Sequence, residues 1–178
     1  MADGIQLTGR VEVMIQLAVG AGQLVKLGEC LDMADVEDRA FYNNISGDRY
    51  GGPQGPPIDC QYLGSIYVVR CELSRWDPAV FDALKLRKAN ATAGKILLSE
   101  VGTLMLASNT FRLLLKSATR PLNFPTAILR DSLQFSMGTK FTSLSLQFEC
   151  HRCPDGLTRG GADYSGILYN AVTTEYAT

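Results

Sequence analysis

The residues with the most chemical potential are few. Five cysteines stand at Cys30, Cys60, Cys71, Cys150 and Cys153, and the chain has one histidine, His151. Cys150-His151-Arg152-Cys153 has the two-residue gap of half a zinc site. A tetrahedral site needs a second ligand pair, and none has comparable spacing. His151 lies between the two cysteines, where it is poorly placed as a third ligand to the same metal. The odd cysteine count, with no basic-then-apolar leader at the start, argues against a full disulfide framework. A redox dithiol usually opens a helix after a strand, whereas this motif closes a strand. The cysteines therefore read as structural, and no metal or other cofactor is expected.

A single histidine also narrows catalysis. A Ser-His-Asp or Cys-His system would have to use His151, and no G-x-S-x-G elbow is present. Ser165, in Asp163-Tyr164-Ser165-Gly166, is not that motif. Gly20-Ala21-Gly22 lacks the third glycine of a dinucleotide fingerprint, and Gly51-Gly52-Pro53-Gln54-Gly55 runs into further prolines. Turn chemistry explains both. With no paired base and nucleophile, the chain is expected not to be an enzyme.

The chain around these residues is 178 long, with 17 basic and 18 acidic residues and 46% apolar content. That suits one domain, residues 1–178, with a sizeable core. No apolar run approaches the roughly 18 residues of a membrane-spanning helix. The near-neutral balance argues against a dedicated nucleic-acid binder.

The periodicity is mostly that of strands. From Thr8 to Leu17, Val11, Val13, Ile15 and Leu17 alternate with Arg10, Glu12, Met14 and Gln16. Gln23 to Leu31 reads as a shorter strand interrupted by Gly28. Residues 32–57 lose clear period and read as a long inter-strand loop, with room for a hairpin inside it. Phe41, Tyr42, Ile45 and Tyr50 are apolar anchors that a purely solvated loop would not need, so this segment should fold against something, such as another subunit. Ile58, Cys60 and Tyr62 share one face before Gly64, and Tyr67, Val69, Cys71 and Leu73 take over the buried face after it. A bulge at Gly64 explains the change of phase.

Asp77 as N-cap and Pro78 as first helical residue predict a helix over 77–89, burying Val80, Phe81 and Leu84. Trp76 before it should pack into the domain. Strands return at Thr103–Ala107, Phe111–Lys116 and Ala127–Met137, with Thr119–Pro125 as a connection. From Phe141 to Cys150, Leu144, Leu146, Phe148 and Cys150 point inward and Ser143, Ser145, Gln147 and Glu149 outward. Residues 154–178 read as a C-terminal arm carrying Tyr164, Tyr169 and Tyr176. The architecture expected is mainly β: a β-sandwich or partly open barrel with one flanking α-helix and a long early loop.

Several stretches resemble the tail tube proteins of long-tailed bacteriophages. They are Gly51-Gly52-Pro53-Gln54-Gly55-Pro56-Pro57-Ile58-Asp59-Cys60-Gln61-Tyr62-Leu63-Gly64, Trp76-Asp77-Pro78-Ala79-Val80, Asn123-Phe124-Pro125-Thr126-Ala127 and Met137-Gly138-Thr139-Lys140. The likeness covers most of the chain in order of elements, with no single diagnostic motif. It implies a homohexameric ring with a continuous β-barrel wall. Rings would stack head to tail into a tube for DNA ejection, built in the host cytoplasm and carried in the virion tail. The partners implied are other copies of the chain, other tail proteins and DNA in transit, with no membrane. On this reading residues 32–57 reach the neighbouring ring. Asp35, Glu37, Asp38, Phe41, Tyr42, Tyr50, Tyr164 and Tyr169 are then candidate interface residues.

Charge distribution offers an internal check. Residues 1–60 carry four basic against nine acidic residues, a net of −5, and residues 61–178 carry thirteen against nine, a net of +4. Complementary surfaces are what a head-to-tail contact requires. A lumen that passes DNA should not bind phosphate, so neutral or acidic residues should line it. The candidates are Glu12, Gln16, Gln147 and Glu149. The competing readings are a capsid decoration protein, a tail-terminator or neck protein, and a monomeric ligand-binding barrel.

Overall fold

The protein was analysed as a computed structural model, which describes residues 5–6, 10–16, 23–46, 57–86, 110–117, 121–130, 143–156, 158–159, 162–163 and 170–171. In chain order these form β1 (Ile5–Gln6), β2 (Glu12–Gln16), β3 (Val25–Ser46), β4 (Pro57–Trp76) and α1 (Pro78–Leu86). Then come β5 (Phe111–Lys116), β6 (Leu122–Leu129), β7 (Leu144–Cys150), β8 (Thr158–Arg159), β9 (Ala162–Asp163) and β10 (Asn170–Ala171). The class is mainly β, with one helix among the described residues.

All pairings are antiparallel, and the ladder runs β3-β2-β5-β6-β7-β4 before β4 pairs back onto β3. Six strands thus close a ring, with β1 added to β3 and β10 to β6. The period-two pattern decides what fills it. Val11, Val13, Ile15, Val69, Cys71, Leu73, Leu144, Leu146, Phe148 and Cys150 all point into one core with Phe111, Leu113, Leu115 and Phe124. Phe111 meets Phe148 edge-on at 5.8 Å between ring centroids.

On the β5–β6 side the outward positions are buried as well. Leu114 and Asn123 are inaccessible, and Arg112 donates from Nε to Asn123 Oδ1 at 2.6 Å. This side of the barrel is therefore covered on both faces, and it offers no surface to a partner at these positions.

The helix starts as its sequence predicts. Asp77 Oδ1 accepts from the Ala79 N–H at 2.9 Å, which satisfies one of the orphan donors of the first turn. The Asp77 N–H donates to the Leu27 carbonyl at 2.8 Å and ties the helix start to β3. Val80, Phe81 and Leu84 enter the core, and Trp76 packs against it, half-buried. Residues 87–89 of the expected helix lie outside the described residues, as do Thr103–Ala107.

Three expectations are corrected. Residues 32–46 are not loop, because β3 continues unbroken to Ser46 and β4 begins at Pro57. The period is hidden by irregular pairing: Cys30 pairs with Leu73 and Ala34 with Cys71, so Leu31, Asp32 and Met33 together face Glu72. Gly28 does not interrupt its strand. A Cβ there would lie 2.2 Å from the Arg75 carbonyl oxygen, so glycine is what lets β3 and β4 approach at this crossing. Finally, Leu122–Pro125 belongs to strand β6, which ends at Leu129. Pro125 is tolerated because the β5–β6 register shifts between Phe111 and Leu113, beside it, so no regular ladder bond is lost.

Candidate assembly surface

β3 and β4 form one long hairpin with two unlike halves. The proximal half is built into the barrel: β2 pairs with β3 through Val25–Glu29, and β7 pairs with β4 through Tyr67–Leu73. Beyond that, Arg39–Ser46 pairs only with Pro57–Ile66 among the described residues. At about 3.3 Å per residue, this distal ladder reaches roughly 25 Å from the barrel. Neither of its edges is paired with a further described strand.

Gly64 shapes this arm. Phe41 pairs with Gly64 and Tyr42 with Tyr62, so Leu63 is the extra residue of a bulge, and Gly64 sits at φ +129°. The change of phase expected at Gly64 is present. The bulge puts Tyr62 and Cys60 on the face that Tyr67 and Val69 present further down. Tyr42 and Tyr62 then meet across the strands at 5.6 Å between ring centroids, tilted by 56°.

The arm's large apolar side chains are exposed. Phe41 is 48% accessible, Tyr42 58%, Tyr62 56% and Leu63 61%, with Ile45 similar. At the arm's base Leu31 and Met33 of the wide bulge also face outward. A two-stranded ribbon is marginal alone in water, and unpaired edges beside apolar faces are templates for another chain.

Charged residues fix the base. Arg39 donates from Nε to Glu37 at 2.8 Å, and Arg70 Nη1 approaches the other Glu37 oxygen at 2.8 Å. The Arg39 and Arg70 guanidiniums hold the Glu37 carboxyl below the usual carboxylate range. Arg70 also donates to Gln147 Oε1 at 3.2 Å. At the barrel's other rim Lys26 bridges Glu12, at 2.8 Å, and Glu29, which also pairs with Arg10. Those two carboxylates raise the Lys26 pKa, while Lys26 and Arg10 lower that of Glu29.

The candidate interface residues are partly brought together. Asp35, Glu37, Asp38, Phe41 and Tyr42 all lie on β3, exposed apart from the half-buried Glu37. They occupy both faces of the ribbon: Asp35, Glu37 and Phe41 on one, Asp38 and Tyr42 on the other. Tyr50, Tyr164 and Tyr169 lie outside the described residues. The C-terminal segment is not wholly an outreaching arm, since Asn170 pairs with Asn123 of the chain's own β6. The first-third acidity is also partly internal, because Glu37 is matched by Arg70 from the basic remainder. Among the described residues no ion pair engages Asp35 or Asp38.

The four lumen candidates are not brought together. Glu12 and Gln16 lie on β2, and Gln147 and Glu149 on β7, three strands away around the ring in either direction. Gln16 is buried, and Glu149 is paired with Arg130 at 2.8 Å and approached by His151 at 3.4 Å. The structure thus sets them on two separate strands rather than on one shared strip of the sheet.

Tyr62 and Leu63 join the exposed apolar surface of the arm, beyond the candidates that the sequence offers. Their signal was the bulge itself, which carries Tyr62 to the face of Tyr42. Cys150 and Cys153 are both buried at the end of β7, and burial pushes the Cys150 thiol well up. Among the described residues no three metal-ligating side chains cluster, and no helix is long and apolar enough to cross a membrane. No protein-family model and no curated protein matches the chain.

Proposed function

We propose that this chain is a tail tube subunit of a long-tailed bacteriophage, a structural virion protein that forms hexameric rings stacked head to tail around a channel for DNA. The observation that carries the reading is the arm: a long ribbon with exposed Phe41, Tyr42, Tyr62 and Leu63 and with edges unpaired among the described residues, set on a barrel with its own core. Such a ribbon gains most when an identical neighbour covers its faces and pairs its edges, as in strand addition. Asp35 and Asp38 on opposite faces near its base, and Asp59 further out, give the ribbon acidic charge that the basic remainder of a second copy complements.

Self-association of this kind needs two different patches on each copy, which yields rings when the rotation closes and stacks when it does not. The reading places no catalytic residue. The protein would work in the virion tail after assembly in the host cytoplasm, with other tail proteins as further partners.

Negative-stain microscopy of the purified protein at rising concentration tests this directly. Rings and hollow tubes are the expected result. Discrete trimers would point instead to a capsid decoration protein, and single unstacked rings to a tail-terminator or neck component. A stable monomer in sedimentation at high concentration would overturn assembly altogether.

A further inference from the structure

Two cysteines lie at the root of the arm, on neighbouring strands. The register carries Cys30 opposite Leu73 and Cys71 opposite Ala34, with Leu31, Asp32 and Met33 looped out between them. Both side chains point into the core and are almost fully buried, and each thiol is the largest influence on the other's titration, as neighbouring sulfurs would be. In a regular antiparallel ladder, diagonal positions stand roughly 7–8 Å apart at Cα, just beyond the disulfide range of roughly 4.4–6.8 Å. The three-residue bulge supplies the slack to close that gap.

The pair is also chemically asymmetric. The neighbouring Cys71 lowers the Cys30 pKa, while Cys30 and burial push that of Cys71 well above the usual thiol range. The more acidic thiol of a pair is the one that attacks first in thiol–disulfide exchange. Each cysteine borders a surface cavity. Cys30 lines one of about 530 Å³ beside Arg10, Glu29 and Arg75, and Cys71 lines one of about 330 Å³ beside Met33 and Glu72.

We propose that Cys30 and Cys71 form a disulfide when the protein meets a low-molecular-weight disulfide, and that the bond locks the bulge from which the arm springs. The Cys30 thiolate attacks one sulfur of the small disulfide, joins it, and releases the other half as a thiolate. Cys71 then gives up its proton and attacks the Cys30 sulfur of the mixed disulfide, expelling the second half. Two protein thiols are oxidised and one small disulfide is reduced to two thiols, with both protons carried off on them. The cross-link itself does not depend on the tube reading; only its timing rests on that reading. A tube subunit would assemble as the dithiol in a reducing cytoplasm and be oxidised after release.

The test uses the Cys60→Ser protein, because Cys60 is exposed on the arm and would react on its own account. It is incubated with oxidised glutathione, quenched by alkylation, and read by intact mass and peptide mapping. The expected product has lost two hydrogens, links the Cys30 and Cys71 peptides, and reverts with dithiothreitol. Its thermal midpoint should rise by on the order of 5–10 °C over the reduced form. Adding Cys71→Ser should stop the reaction at a glutathione adduct on Cys30. Alkylation of both thiols after the incubation, or a linkage between other cysteines, overturns the proposal. The mass readout is taken on the subunit whatever its assembly state, so a failure of tube formation leaves this result standing.

Discussion

The barrel and the arm are made from the same two strands, yet they are stabilised in opposite ways. In the proximal hairpin residues of both β3 and β4 enter a shared core, where Val36, Val69, Cys71 and Leu73 are almost fully buried. In the distal hairpin the residues remain large and apolar, but Phe41, Tyr42, Tyr62 and Leu63 face solvent. The ladder bonds continue across the boundary without change. Backbone pairing therefore shapes the arm, whereas burial holds the barrel. A strand can run on well past its core only if something else makes the extension worthwhile, and a partner's surface is the physical candidate.

The contrast can be broken most strongly from the barrel side. Phe148→Ala removes an inaccessible ring that packs on Phe111, and should cost about 3–5 kcal/mol of unfolding free energy in denaturant titrations. A loss near zero would mean that the ring of strands is not the stable unit. Gly28→Ala strikes the junction. Its Cβ would meet the Arg75 carbonyl at 2.2 Å, so the β3–β4 crossing must open, at about 1–3 kcal/mol by the same titration. Leu63→Asp acts on the arm alone. It should move unfolding free energy by less than about 0.5 kcal/mol, because the side chain is already in water. Sedimentation of the same variant should show assembly lost. If Leu63→Asp instead unfolds the protein, the arm is part of the core and the division between the two regions fails.

Much of the barrel was legible from residue alternation. Leu144, Leu146, Phe148 and Cys150 point inward as their spacing requires, and Asp77-Pro78 starts the helix at the expected place. The arm was legible in part. Its aromatics stood out as too apolar for a solvated loop, and Gly64 marked the bulge. Its strand character was hidden because Leu31-Asp32-Met33 breaks the period and the exposed ladder has no buried face to impose one. β6 was misplaced because Pro125 reads locally as a break, and only its partner's register shows why a missing N–H is harmless there.

The lumen candidates are scattered for a different reason. Alternation assigns Glu12, Gln16, Gln147 and Glu149 to outward faces, but it carries no information on which side of a closed ring a strand occupies. That depends on pairing order, and the order puts β2 opposite β7. The same holds for Cys30 and Cys71, 41 positions apart in the chain, whose meeting depends on a bulge that no local pattern announces. Inward or outward direction is a local property of a pleated strand, set by side-chain chemistry at every second position. Neighbourhood across strands is a non-local property, set by which edges pair and where they slip. The amino-acid order of this chain therefore determined its class, its core residues and its helix start. The closure of the barrel, the reach of the arm and the company of its cysteines came from the pairing of segments that are distant in sequence.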